Sequence, residues 1–156
     1  IAEYGARVSH EVLCDSIETY CTEPTTELLE YIKRDVLNVV MGNKDNHGRN
    51  TALMRQQSGH VALAPLFDFA PMYLDPEGIA RVCRWSDDRE TAGDPEWARV
   101  LEHFGERGDT LRDALRAFGR QLEPLAELMR DCGVDDDIVE QRSRSIQKHI
   151  TQLLAL

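Results

Sequence analysis

The sequence predicts a mainly α-helical fold with one small β-hairpin. Three observations carry that expectation. Apolar residues recur at helical spacing through most of the chain. Alternation of apolar with polar or small residues appears in two short runs, Thr51 to Arg55 and His60 to Leu66, on either side of Gln56-Gln57-Ser58-Gly59. The 156 residues, 42% of them hydrophobic, can bury about 70% of their unfolded surface, which suits one compact domain.

Each element has its own signal. Val8, Val12, Leu13, Ile17 and Tyr20 predict an amphipathic helix over residues 6 to 20. Thr22-Glu23-Pro24 interrupts it, and Thr25 or Thr26 is expected to cap the next helix. That second helix presents Leu28, Leu29, Ile32, Val36, Leu37, Val39 and Val40 on a broad apolar face. Glu27, Glu30, Lys33, Arg34 and Asp35 are expected opposite. Gly42 stands where a helix is often closed by a residue with positive φ. Residues 42 to 50 then lack any large apolar side chain and predict a loop. Residues 67 to 78, with Pro71 and Pro76, are expected to be irregular. Beyond Gly93-Asp94-Pro95, helices are expected over 95 to 104, 109 to 120, 122 to 132 and 136 to 154. Pro124 divides the middle pair, and Asp135-Asp136-Asp137 places negative charge at the last helix's start.

Composition narrows the function classes. The chain carries 18 Lys plus Arg against 28 Asp plus Glu, a net charge of −10. A field of that sign opposes docking on phosphate backbones, so direct nucleic-acid binding is not expected. No apolar run approaches the roughly 18 to 20 residues needed to cross a bilayer, and Ile1 to Tyr20 lacks the pattern of a signal peptide. A cytoplasmic protein without membrane contact is therefore expected, its four cysteines buried and reduced. Because residue 1 is isoleucine, the chain is expected to be a piece of something larger.

The polar loop and the hairpin carry the chemistry. Asp45 and Asn50 stand five residues apart on a loop after a hydrophobic helix, and Asp68 lies at the far end of the hairpin. Phosphoryl transfer calls for this set of groups: one carboxylate to orient a hydroxyl and accept its proton, and an amide oxygen and second carboxylate to hold Mg²⁺ against the phosphates of ATP. The Asp-x-x-x-x-Asn spacing is that of a kinase catalytic loop. Mg²⁺ keeps several waters, so one Asn and one Asp with phosphate oxygens suffice chemically.

Asn43-Lys44-Asp45-Asn46-His47-Gly48-Arg49-Asn50, followed by Leu63-Ala64-Pro65-Leu66-Phe67-Asp68, resembles the carboxy-terminal region of HipA-like kinases. These are bacterial Ser/Thr protein kinases, many of them the toxin of a toxin–antitoxin pair. The resemblance runs directly from Gly42 to Pro71 and implies a protein-kinase-like C-lobe of the HipA type. It implies that Asp45 is the catalytic aspartate, that His47 belongs to the catalytic loop without being the base, and that Asn50 and Asp68 hold Mg²⁺ and engage ATP. It also implies a protein substrate with a Ser or Thr hydroxyl and an antitoxin partner. Arg49 stands where the family usually has lysine, and Phe67 where it usually has tyrosine. None of Lys33, Lys44 and Lys148 lies on a predicted strand, so the nucleotide-gripping lysine of an N-lobe is missing. Residues 1–156 are thus expected to be one domain, a C-lobe, with little activity alone.

Other readings of the same residues are a non-catalytic module docking an antitoxin or other partner, and a small-molecule or lipid kinase. Asp45, Asn46 and Asn50 also favour turns in their own right. A zinc site from Asp45, His47, His60 and Asp68 matches no ligand spacing. His10, His103 and His149 are expected at the surface or satisfied locally, Trp85, Trp97 and Phe118 in the core or an interface, and Arg81, Arg84 and Arg89 on a solvated rim.

Overall fold

A computed structural model describes residues 8–71 and 80–156. Two helices open it, α1 (His10–Tyr20) and α2 (Pro24–Met41). A hairpin follows, β1 (Leu53–Arg55) and β2 (Val61–Leu63). A second, smaller hairpin, β3 (Glu90–Thr91) and β4 (Asp94–Pro95), leads into α3 (Trp97–Glu102), α4 (Arg107–Leu122), α5 (Leu125–Asp131) and α6 (Asp136–Leu154).

The mainly helical expectation holds, with two hairpins rather than one. The second escaped because two-residue strands are too short to show alternation. Its turn is marked only by Ala92 and Gly93, which both adopt positive φ (53° and 83°), the conformation a tight hairpin requires. The first hairpin is shorter than expected, pairing Leu53 with Leu63 and Arg55 with Val61. Pro24, rather than a threonine-capped residue, begins α2, since its fixed φ suits the first helical position. Pro124 sits directly before α5, as the split of that stretch anticipates. The expected irregular segment is described only as far as residue 71; residues 72–78 lie outside the described residues, as do residues 6 and 7 of the first expected helix.

Leu28, Ile32, Val36 and Val40 form a row four residues apart along α2, and all are fully buried. That row lets α2 touch α1, α4, α6 and β2 at once, so it is the axis of the core. The α4 and α6 helices pack tightly at Gly119, where a Cβ would stand 2.9 Å from that of Leu153. The outer edge of β2 is covered by side chains: Val61 N–H donates to Thr22 Oγ1 (2.9 Å) and Leu63 N–H to Glu27 Oε2 (2.8 Å). Arg34 donates to the Ala64 carbonyl at 2.8 Å. These bonds blunt a free strand edge and fix the hairpin against α2. Cys14, Cys21 and Cys83 are buried free thiols, whereas Cys132 is exposed, a correction to the expected burial of all four.

Candidate active site

The end of α2 places the polar loop. Gly42 closes the helix at φ 75°, a conformation that glycine adopts without a Cβ penalty. Arg142 of α6 donates to the Val39 and Val40 carbonyls at 2.7 and 3.0 Å, satisfying acceptors that the helix end leaves open. The chain then turns through residues 43 to 50 and ends in a single 3₁₀ turn, Gly48–Asn50. Asn43 bonds Asn38 twice, through its backbone N–H (2.8 Å) and its side-chain amide (2.9 Å). The His47 N–H and the Asn50 Nδ2 both donate to the Asp45 carbonyl, at 2.9 and 3.0 Å. Asn50 therefore spends its NH₂ on holding the loop.

A shallow cleft opens beside this loop, with Asn46, His47, Asn50, Phe67 and Asp68 among its lining and Tyr31 and Asp35 beneath. Three of the four expected site residues, His47, Asn50 and Asp68, thus share one cleft. Asp45 flanks it rather than lining it. Its carboxylate is 42% exposed and lies 3.9 Å from His47 Nε2. Asp68 reaches the cleft from an exposed segment after β2 and takes φ 53°, unusual for a residue with a Cβ. Asn50 Oδ1 and the Asp68 carboxylate are hard oxygen donors of the kind Mg²⁺ prefers, so the donor set fits that ion. Among the described residues no three or more His, Cys, Asp or Glu side chains come together as a metal cluster.

The residue that sequence reasoning misplaced is Asp35. Expected on the polar face of α2, it is 1% exposed. Its carboxylate accepts from Trp85 Nε1 (2.9 Å), Asn46 Nδ2 (3.3 Å) and Arg81, and Arg81 also faces Glu90 at 3.6 Å. Burial alone pushes the Asp35 carboxyl up, but the Arg81 guanidinium and the hydrogen bonds from Arg81 and Trp85 hold it below the usual carboxylate range. A signal existed: Asp35 follows Tyr31 by four and Leu28 by seven, which puts it on the buried face. Arg81 is correspondingly mostly buried, its side chain 9% exposed, and not part of a solvated rim; Arg84 stays half-exposed and pairs with Glu90.

His10 and His149 correct the expectation of surface or locally satisfied histidines. His10 is buried and stacks on Trp85 at 4.8 Å. Arg81 donates to its Nε2 (3.0 Å), so that nitrogen is an acceptor and Nδ1 carries the proton toward Tyr31 Oη (2.7 Å). The ring is therefore neutral, and its 3.4 Å approach to Asp35 is a contact and not an ion pair. Burial, with Arg81 beside it, lowers its pKa to about 4, against the weaker pull of Asp35. His149 is wholly buried and accepts from Trp97 Nε1 at 3.0 Å, with Asp94 2.8 Å from its other nitrogen. Both tryptophans lie in the core, as expected.

No curated protein matches the chain. Among solved structures, the fold matches a chain of the Shewanella oneidensis MR-1 toxin–antitoxin complex of HipA, HipB and its operator DNA. The TM-score is 0.61 at 21% identity, over 95% of this chain and 34% of that one. This chain therefore spans about a third of that neighbour's length. The family model described as the HipA-like C-terminal domain matches residues 2–147, nearly the whole length. The chain belongs to the HipA-like C-terminal domain family.

Proposed function

We propose that this chain is the catalytic, kinase-like C-lobe of a Ser/Thr protein kinase, and that it works with a nucleotide-gripping segment outside these 156 residues. The observation that carries the reading is the closed loop. Asn50 is tied through Nδ2 to the Asp45 carbonyl, and it lines the same cleft as Asp68. In this reading Asp45 orients the substrate hydroxyl and takes its proton as the hydroxyl oxygen bonds to the γ-phosphorus of ATP. The bond from that phosphorus to the bridging oxygen breaks, and ADP leaves. Asn50 and Asp68 would hold Mg²⁺, which neutralises charge on the phosphates when bound. His47, 3.9 Å from the Asp45 carboxylate, shapes the loop rather than acting as the base. Family membership supports a toxin role, with an antitoxin protein as partner and a cytoplasmic setting. Among the described residues no helix is long and apolar enough to cross a membrane.

The test uses the intact protein with γ-labelled ATP and cell extract. Label should appear on protein Ser or Thr, and residues 1–156 alone should transfer little. Asp45→Asn should lower kcat by about 10²- to 10⁴-fold while nucleotide binding is largely kept. Asp68→Ala should weaken Mg²⁺–ATP engagement. Normal activity in both variants would overturn the assignment, and label found only on metabolites would redirect it to a small-molecule kinase.

A further inference from the structure

Two residues three apart on α2 meet two residues three apart on the loop. Asn38 accepts from Asn43 Nδ2 at 2.9 Å, and Asp35 accepts from Asn46 Nδ2 at 3.3 Å. One turn of α2 thus grips both ends of Asn43-Lys44-Asp45-Asn46, with Asp45 between the grips.

The two grips are not equivalent. Asn43 is also fixed by its backbone N–H to the Asn38 carbonyl, so the loop's start needs no particular side chain. At Asn46 the tie runs through the side chain, to a carboxylate that Arg81 and Trp85 hold in place. Asn46 is 7% exposed, yet among the described residues its Oδ1 accepts no hydrogen bond. A buried acceptor left unpartnered costs stability, so a small apolar residue would serve the fold here about as well. What the amide adds is direction: it bonds a charged, immovable acceptor one residue after Asp45, and charge-assisted bonds are the stronger kind.

We infer that Asp35 is a positioning residue for Asp45, acting through the Asn46 amide. The inference rests on the kinase reading for its catalytic consequence but not for the tie itself. The buried Asp35–Arg81–Trp85 cluster is then the anvil against which the loop is set, and α2 carries both the core and the register of the reacting carboxylate.

Asn46→Ala in the intact protein tests it, because this change leaves the Asp35–Arg81 pair untouched. Amide hydrogen exchange should speed up by about tenfold or more at His47 and Asn50, whose N–H groups close the loop, with α4 and α6 unchanged. The kcat should fall about 100-fold, as for a small misplacement of a reacting group. KM for ATP should stay within about twofold and the melting temperature should hold, a split that a merely structural loss would not produce. Asp35→Asn, which keeps an acceptor but loses the charge, should fall between wild type and Asn46→Ala in exchange at these amides. Unchanged exchange at His47 and Asn50, or a kcat within about twofold of wild type, would overturn the inference. Should wild type show no transfer at all, the kinase reading falls and the exchange comparison alone decides the tie.

Discussion

The two sides of the candidate site are built in opposite ways. The loop side is braced from below: Asn43 on Asn38, Asn46 on Asp35, Asn50 on the Asp45 carbonyl, all backed by a helix whose apolar row is fully buried. The hairpin side brings one carboxylate, Asp68, on an exposed segment with exposed Leu66 and Phe67 before it. Asp68 even holds a positive φ of 53°, an angle that most residues with a Cβ avoid. The contrast teaches where each demand falls. The Asp45 carboxylate is itself 42% exposed, so what is buried is the brace beneath it, and a rigid brace is what the proposed orienting role needs. In the same proposal Asp68 would meet a hydrated ion and phosphates, a role that keeps it open to water.

Three measurements sharpen or break that contrast, in order of effect on stability. Asp35→Ala leaves the Arg81 charge buried with its main partner removed, and should destabilise the fold by about 3–5 kcal/mol in urea unfolding. A loss under about 1 kcal/mol would show that the brace is not structural. The second is pH. His10 titrates at 6.5 when unfolded and at about 4 when folded, so the unfolded chain binds the extra proton between those values. Its share of stability is complete above pH 6.5 and is lost as pH falls toward 4, up to about 3 kcal/mol in all. Unfolding at pH 7 and pH 5 should show this slope, and His10→Gln should flatten it. An unchanged slope in the variant would assign the acid sensitivity elsewhere. The smallest stability effect belongs to the other side: Asp68→Gly removes the carboxylate but relieves the positive φ, so it should shift stability by no more than about 1 kcal/mol, upward if at all. Destabilisation well beyond that would mean that the hairpin side is braced too.

Much of this was legible from the chain, and the misjudged polar residues share a cause. Gly42 and the apolar row of α2 are local signals, written within one helix, and the structure places them as expected; Asp45 and Asn50 lie on the loop that follows. Asp35, His10, Arg81 and His149 were misjudged because single polar residues look solvated until their partners are known. Those partners lie far along the chain: Trp85 is 50 residues from Asp35, and Trp97 is 52 from His149. The second hairpin failed for lack of length, its strands being two residues each.

The sequence by itself determined the helical character, the loop and the residue types that chemistry needs, because periodicity and spacing are properties of neighbours. Only the tertiary structure decided which charges are buried and what holds Asp45 in place. A carboxylate enters a core only when distant donors converge on it, and that convergence comes from packing α2 against segments that lie far from it in sequence.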